Sequence, residues 1–383
     1  MPQSTFSSIN SIIERDKVDT PYKYSLLRAV IESCQEFPQF AKQGEGEFAG
    51  RVVLPVGLLV FKWLIYYYPF FEGEFVVLKI GERPGHRELA FRRRFEELTA
   101  FYADRGGFSV FYDDLVSGSV PGEIMPVFAS LVNKIRGTIV DNPMRHLGYS
   151  QTGREYAVFS EVERGRAVRA SMRVDVSLLI DLCGSYALSQ ELYAVFRDLG
   201  GFILGSGCVS QRWFAFVMRA NRDRGISEGR VMELLSAVPV SERNVTAAAR
   251  VYRECAGEGV LRCVWSGREV LPEGLAVDHM LPFAVWRCND LWNLVPADES
   301  VNARKSDRIP AGELLVLRKD AILACWHLMY ARFPERFAKE VSVGLLGEEF
   351  GEGWEERAFE RLCGISAYLI ETRGYEGVGY PLR

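Results

Sequence analysis

The sequence has no excess of basic residues. In 383 residues, 46 lysines and arginines stand against 50 aspartates and glutamates, which gives a formal net charge of −4. A protein that binds nucleic acid through its overall charge is therefore excluded, and any phosphate-binding surface has to be a local patch. The composition, 48% hydrophobic and 25% charged, is typical of a folded globular protein, and the length predicts two or three domains.

The eight cysteines show no regular spacing, and none of them forms a C-x-x-C pair. This pattern excludes a regular disulfide framework. The N-terminal residues carry no secretory signal pattern, so free thiols in a reducing cytoplasm are the simplest interpretation.

Long uninterrupted hydrophobic runs are also missing. The most apolar stretch, Val52–Phe71, contains Lys62 and is interrupted by Pro55 and Pro69. A membrane-spanning helix needs about 20 mainly apolar residues without such breaks. The stretch therefore predicts a buried core helix, and we expect no membrane partner.

Hydrophobic periodicity predicts a mainly α-helical protein with small β elements, that is, an α+β fold. We expect a helical N-terminal domain at 1–148, a mixed α/β region at 149–240 and a C-terminal domain with further helices at 241–383. The change in pattern near Tyr149, where short alternating segments begin, defines the first boundary.

Several elements can be predicted from local patterns. Pro126–Val140 predicts a helix. Glu155–Glu161 and Ala167–Val174 predict the two strands of a β-hairpin. Asp175–Leu199 predicts one long helix that stops at the glycine pair following it.

Four short segments in the C-terminal part have an informative order and spacing. Arg262–Trp265 and Leu275–Val277 predict two strands around a turn, an irregular stretch follows to about Ala297, and Asp298 is a suitable cap for a short helix through Lys305. The segments are Cys263-Val-Trp-Ser-Gly267, Val277-Asp-His-Met-Leu-Pro282, Leu291-Trp-Asn-Leu-Val-Pro296 and Asn302-Ala-Arg-Lys-Ser-Asp307.

The residue types in these segments suit phosphodiester hydrolysis. His279 is a candidate general base for the attacking water, since histidine titrates near neutrality. A hard divalent ion needs oxygen ligands, which the Asp278 carboxylate and the Asn302 amide provide. Lys305 shares a helix face with Asn302 and is either a phosphate contact or a solvated charge. Adjacent residues of a strand point to opposite faces, so we expect the strand to end near Pro282, which lets both Asp278 and His279 reach the site.

The four segments resemble the HNH, or His-Me finger, endonucleases. They are similar to the HNH module of the RNA-guided CRISPR nucleases and even more to stand-alone bacterial HNH endonuclease-domain proteins. The resemblance covers roughly Leu261–Pro310. It implies a ββα-metal finger within a helical domain and one divalent cation, Mg²⁺ or Mn²⁺. It also implies that Asn293, the middle residue of the motif, supports the loop that presents the histidine, and that Asn302 replaces the third residue in an H-N-N variant.

Many members of that family brace the finger with a zinc ion held by two C-x-x-C pairs. In this sequence Cys263 stands alone where such a pair would lie, and Ser266 occupies the partner position. The nearest other cysteines are not at zinc spacing. We therefore expect no structural zinc, and apolar packing by Trp265, Trp286 and Trp292 instead.

The resemblance implies a metal-dependent endonuclease that hydrolyses DNA in the bacterial cytoplasm, in restriction or phage defence. Two alternatives stay open: a nuclease restricted to RNA or to modified DNA, and a nucleic-acid-binding subunit with a vestigial finger. A homodimer would suit cleavage of both strands, and partner defence proteins are a further expectation.

Two groups of arginines are candidates for contacts with a nucleic-acid backbone. For each group, a solvated surface balanced by nearby acidic residues is the alternative. The first arginine cluster is Arg83, His86, Arg87, Arg92, Arg93 and Arg94; the second is Arg212, Arg219, Arg222 and Arg224, and Arg304 on the predicted finger helix is a further candidate.

Overall fold

The computed structural model describes residues 19–205, 209–239 and 244–379. Contacts divide the chain into two units, Met1–Ser241 and Glu242–Arg383. Both are mainly helical with small sheets, which confirms the predicted fold class. In the part described, no single helix is long and apolar enough to cross a membrane, although one bent pair of helices, Gln190–Gly205 with Val209–Ala220, meets the criteria of length and composition when taken together.

The first unit is built mainly from helices. The predicted helix at Pro126–Val140 is confirmed as Met125–Ile139. The helices described are α1 (Tyr22–Glu36), α2 (Val56–Phe71), α3 (Arg92–Ala103), α4 (Gly107–Ser117), α5 (Met125–Ile139), α6 (Tyr149–Thr152), α7 (Val176–Leu182), α8 (Gln190–Gly205), α9 (Val209–Ala220) and α10 (Glu228–Ser236).

A small antiparallel sheet connects distant parts of the first unit. The strand order is β1-β2-β4-β3, and Arg51 of β2 lies opposite Ser189 of β4. Two strands, β1 and β2, thus come from the predicted 1–148 region, and the other two, β3 and β4, come from the predicted 149–240 region. The strands are β1 (Lys42–Gln43), β2 (Arg51–Pro55), β3 (Ser160–Arg164) and β4 (Gly184–Ser189).

The most apolar stretch of the sequence forms a buried helix, as predicted, but only from Val56 onward. Helix α2 is buried along nearly its whole length, and the residues before it form β2 instead. Pro55 explains the boundary, because the residue before a proline favours extended backbone. Lys62 is tolerated in the core because its ammonium group lies 2.9 Å from Glu32 and 2.7 Å from Glu36.

The predicted β-hairpin and the long helix after it are both wrong. Strand β3 pairs with β4, far along the chain, and Ala167–Val174 forms no strand. The segment predicted as one helix contains α7, then β4, then α8. Gly184 breaks the helix with a left-handed φ of +83°. The apolar run after it suits a buried strand as well as a helix, so periodicity alone could not separate the two.

A fully buried ion pair organises the segment before α3. The side chains of Arg92 and Glu82 are 1% and 0% exposed, and Arg92 Nε lies 2.7 Å from Glu82 Oε1. The Glu82 carboxylate also accepts hydrogen bonds from the backbone N–H groups of Leu78 (2.7 Å) and Leu89 (2.9 Å). The assignment of Arg92 to a surface cluster is therefore wrong, because its charge is used inside the fold.

Replacing Arg92 by methionine leaves the Glu82 carboxylate buried without its cation. We expect the free energy of unfolding to fall by about 3–5 kcal/mol, as for other broken buried pairs. Arg93→Met is the matched control, since the Arg93 side chain is 74% exposed and a surface pair contributes about 0–1 kcal/mol. Urea denaturation of both variants measures the difference, and equal stability would contradict this role of Arg92.

The second unit combines a short antiparallel pair of strands with several helices. The helices after Ala311 are interrupted at Pro334 and again between Gly347 and Gly353. The elements are α11 (Thr246–Gly257), β5 (Leu275–His279), α12 (Phe283–Trp286), β6 (Leu294–Asp298), α13 (Glu299–Lys305), β7 (Ile309–Pro310), α14 (Gly312–Leu317), α15 (Lys319–Arg332), α16 (Pro334–Val341), α17 (Trp354–Ala367) and β8 (Gly377–Val378).

The strands, loop and helix of the finger follow one another along the chain in a different order from the predicted one. Strand β5 pairs with β6, and α13 follows directly, so the order is strand, loop, strand, helix. The prediction of a strand at Arg262–Trp265 is wrong, because these residues lead into a turn in which Gly267 N–H donates to the Cys263 carbonyl (2.8 Å). Strand β6 was missed because it contains Pro296, which a two-stranded sheet accepts at its edge.

The helix of the finger begins as predicted. The Asp298 side chain accepts hydrogen bonds from the backbone N–H groups of Ser300 and Val301, which caps the first turn of α13. The predicted apolar packing is present as well, since Trp265 and Trp292 are fully buried and Trp286 is partly buried against the same core.

Candidate active site

Asp278 lies next to the end of β5, and its carboxylate is buried, with the side chain 5% exposed. The indole N–H of Trp265 donates to Oδ2 at 2.6 Å. The ammonium group of Lys305 lies 3.1 Å from the same oxygen. One carboxylate therefore joins the turn before β5, the strand itself and the helix after β6.

Lys305 is the last residue of α13, and its side chain is 0% exposed. Besides Asp278, its ammonium group donates to the backbone carbonyl of His279 at 2.9 Å. The interpretation of Lys305 as a solvated helix charge is therefore wrong. The positive charge lies inside the finger, between the two residues of the Asp-His pair.

His279 is the last residue of β5 and is 1% exposed. Its Nε2 atom lies 3.2 Å from Oδ1 of Asn289, and the Phe283 ring packs against the imidazole with 5.4 Å between the ring centroids. Asp278 and His279 are both strand residues, so their side chains lie on opposite faces. The strand includes both residues and ends at His279 itself, three residues before Pro282, so the expectation that its end lets both side chains reach one point is not confirmed.

The contact of Asn289 with His279 was not predicted from the sequence. It lies in the irregular loop between β5 and β6, ten positions after His279. Nothing in its local sequence distinguishes it from a solvent-exposed loop asparagine. The path of the loop, in which Arg287 adopts a positive φ of 48°, places its side chain next to the histidine.

Asn293 is fully buried at the other end of the same loop. Its Oδ1 accepts a hydrogen bond from the Leu281 backbone N–H (2.8 Å), and its Nδ2 donates to the Leu281 carbonyl (3.0 Å). A second, longer contact reaches the Cys288 carbonyl (3.4 Å). The side chain thus fixes the backbone just after His279 to the start of β6.

The donor set suits a hard divalent cation. Asn302 lies half-buried on α13, one turn before Lys305, and α13 packs against β5. The Asp278 carboxylate and the Asn302 amide are oxygen donors, and Mg²⁺ prefers one or two such protein ligands with water and phosphate in its other positions. The described residues contain no group of three or more His, Cys, Asp or Glu side chains that could hold a metal.

Cys263 takes part in the finger without a cysteine partner nearby in sequence. The thiol is buried, and the backbone N–H of Ser266 donates to its sulfur at 3.4 Å. The turn is further fixed by the Val264 backbone N–H, which donates to the Pro296 carbonyl of β6 at 3.0 Å. Hydrogen bonds thus hold this turn against the strands.

The candidate nucleic-acid contacts are exposed. The second arginine cluster lies on α9 and just after it, in the first unit, and Arg304 lies on α13 in the second unit. Arg224 packs over the Phe75 ring at 4.9 Å and Arg219 over the Phe216 ring at 5.6 Å. All five arginines are exposed residues, and two of them stack on aromatic rings.

Two partly buried carboxyl groups, those of Asp290 and Glu340, lie at the loop that leads into β6. Glu340 accepts a hydrogen bond from the Leu291 backbone N–H (2.6 Å), and Asp290 accepts one from the indole of Trp292 (3.0 Å). Burial and the nearby Asp290 charge raise the pKa of Glu340 to about 7, although Arg336 opposes the shift. Burial also raises the pKa of Asp290.

The raised pKa of Glu340 predicts a pH dependence of stability. The folded state holds the Glu340 proton more tightly than the unfolded chain does, because the pKa of Glu340 is raised in the folded state. The protonated Glu340 therefore adds to the free energy of unfolding below the ordinary glutamate pKa, and this contribution is lost as the pH rises through about 7. We expect a loss on the order of 2–3 kcal/mol between these limits. Glu340→Gln should flatten the profile, whereas Glu335→Gln, at an exposed position of the same helix, should not.

Thermal unfolding of both variants from pH 4 to pH 8 measures this effect. Parallel pH profiles for wild type and Glu340→Gln would contradict the assignment of the buried proton to Glu340.

Comparisons with known proteins give two family matches. A family model described as a domain of unknown function (DUF8808) matches residues 2–235, which is more than half of the chain. A model described as HNH endonuclease matches residues 263–311, a small part of the chain that spans the finger from Cys263 to beyond α13. Neither the curated proteins nor the solved structures give a match. The second match indicates a nuclease with nucleic acid as its substrate, and HNH nucleases generally use a divalent metal.

Proposed function

The chain belongs to the family described as a domain of unknown function (DUF8808), and we propose that its second unit makes it a metal-dependent HNH endonuclease that hydrolyses phosphodiester bonds of DNA. One observation carries the proposal. The Asp278-His279 pair ends strand β5, and helix α13 packs against that strand with Asn302 and Lys305 on one face. The residues that the chemistry needs thus come from two elements in contact.

His279 is the general base. Its imidazole takes a proton from the water that attacks the phosphorus. The ring is held between the Asn289 amide and the Phe283 ring, so its orientation is fixed before the substrate arrives. Because His279 is 1% exposed, the residues that cover it have to shift when the substrate binds.

Asp278 and Asn302 would hold the divalent cation, Mg²⁺ or Mn²⁺, through their side-chain oxygens. Bound there, the ion would neutralise charge on the phosphate and help the leaving 3′ oxygen. Lys305 holds the Asp278 carboxylate in place, since its ammonium group lies 3.1 Å from Oδ2. The products would carry a 5′ phosphate and a 3′ hydroxyl.

The exposed arginines support DNA as the partner. Guanidinium groups neutralise backbone phosphates whatever the base sequence, and the second arginine cluster and Arg304 present such groups. The similarity of the finger segments to stand-alone bacterial HNH proteins supports a role in restriction or phage defence in the cytoplasm. A homodimer would place two such sites on opposite strands.

The direct test is DNA cleavage with Mg²⁺ or Mn²⁺. Wild type should nick or cut DNA, and His279→Ala should lower the rate at least about 100-fold, the scale of general-base catalysis. His327→Ala is the matched control, because His327 lies in the same unit with its side chain 54% exposed. Undiminished cleavage by folded His279→Ala protein would overturn the assignment of the base.

The choice of substrate decides between the proposal and its alternatives. Unmodified DNA, modified phage DNA and RNA are compared under the same conditions. Cleavage of modified DNA or RNA alone would replace the proposed target and keep the chemistry. DNA binding without cleavage of any substrate would favour a nucleic-acid-binding subunit with a vestigial finger.

The ion site can also be tested without an activity measurement. Lys305→Met leaves the Asp278 carboxylate buried without its cation, so we expect the metal-free protein to lose about 3–5 kcal/mol of stability. A divalent ion then no longer competes with the ammonium group, so Mn²⁺ should raise the melting temperature of this variant more than that of wild type.

Lys319→Met is the matched control for this variant. Its ammonium group also pairs with a carboxylate, Glu356 at 2.6 Å, but at the surface, so it should change stability by at most about 1 kcal/mol. An equal response of wild type and Lys305→Met to Mn²⁺ would argue against an ion site at Asp278.

A further inference from the structure

The amide oxygen of Asn289 has two neighbours with different chemistry. Oδ1 lies 3.2 Å from Nε2 of His279. The same oxygen accepts a hydrogen bond from the backbone N–H of Asn244, which lies just before α11, at 3.0 Å. One atom of a loop residue therefore links the imidazole to a backbone group from a different part of the second unit.

The backbone contact fixes which way the Asn289 amide faces. The oxygen and nitrogen of an asparagine amide are nearly equivalent in shape, so their positions have to follow from the hydrogen bonds. A backbone N–H is only a donor. The Asn289 atom that faces Asn244 must therefore be the oxygen, since an NH₂ group in its place would set a donor against the backbone N–H, which is itself a donor.

This orientation determines the tautomer of His279. A carbonyl oxygen accepts hydrogen bonds and has no proton to give. The histidine atom that faces it, Nε2, must therefore carry the proton. In the neutral ring only one nitrogen is protonated, so the lone pair lies on Nδ1.

We infer that Asn289 is a positioning residue that selects the Nε2–H tautomer of His279 and thereby makes Nδ1 the atom that accepts the proton from water. The inference rests on the proposed function for its catalytic meaning, while the tautomer itself follows from the contacts alone. A partner that holds the far nitrogen of a reacting histidine sets both the tautomer and the direction of the ring. Phe283, against the ring plane, limits rotation of the same imidazole.

The tautomer can be measured directly in the full chain. The sequence has four histidines, so protein labelled with ¹⁵N at histidine gives few ring signals, and His279→Gln identifies those of His279. Above the histidine titration range, the wild-type signals should show protonated Nε2 and unprotonated Nδ1. In Asn289→Ala the two tautomers should mix, while Asn289→Asp, which keeps an acceptor at the same place, should retain the wild-type pattern.

Kinetics separate positioning from a purely structural role. Asn289→Ala should lower kcat about 10–100-fold, the range for lost partners of site residues, with KM unchanged. Asn289→Asp should recover most of that loss. Glu273→Gln, at an exposed position just before β5, is the control and should match wild type in kcat, KM and thermal stability.

Several outcomes would overturn the inference. They are a wild-type proton on Nδ1, an unchanged tautomer in Asn289→Ala, and a rise in KM alone. Wild-type protein that cleaves no substrate, yet shows the Nε2–H tautomer and its loss in Asn289→Ala, would instead overturn the proposed function and leave the link between Asn289 and His279 standing.

Discussion

The buried pair of Asp278 and Lys305 is the contact on which the finger of the second unit depends. A carboxylate within an apolar core costs several kcal/mol unless a cation and further donors compensate it. Here Lys305 supplies the cation and the Trp265 indole supplies a donor. The turn, the strand and the helix that contribute these three side chains are therefore held in one arrangement. Removing any one of these three side chains would leave a buried charged or polar group without one of its partners.

The same pair connects stability with the proposed chemistry. Lys305 also donates to the His279 carbonyl, so the helix that carries Asn302 is tied to the backbone of the candidate base. A divalent ion at Asp278 would meet a carboxylate that already attracts a positive charge. The divalent ion would thus compete with the Lys305 ammonium group for the Asp278 carboxylate. In the absence of the ion, the ammonium group neutralises the buried carboxylate and stabilises the fold. The finger can therefore fold before it binds the divalent ion.

Local sequence predicted the elements whose causes are local. Asp298 caps α13 and the apolar run from Val56 is a core helix because the determining residues are neighbours in the chain. Pairings between distant strands were missed, since Pro296 argued against β6 and the run after Gly184 suited helix and strand alike. For the candidate site, the order and resemblance of the motif segments predicted Asp278, His279 and Asn302, and these assignments stay predictions. Asn289 depends on the path of a loop, which no periodicity records.

The loop between β5 and β6 is held unevenly, and this bears on how a substrate reaches His279. Asn293 fixes the backbone at Leu281 and Cys288, and Glu340 holds the N–H of Leu291. Between these anchors lies α12, a single short turn whose residues are partly or fully exposed. Phe283 belongs to that turn and packs on the imidazole. A shift of α12 would uncover the ring while the anchors hold Asn289 in place, so access to the base and orientation of the base can be controlled by separate parts of one loop.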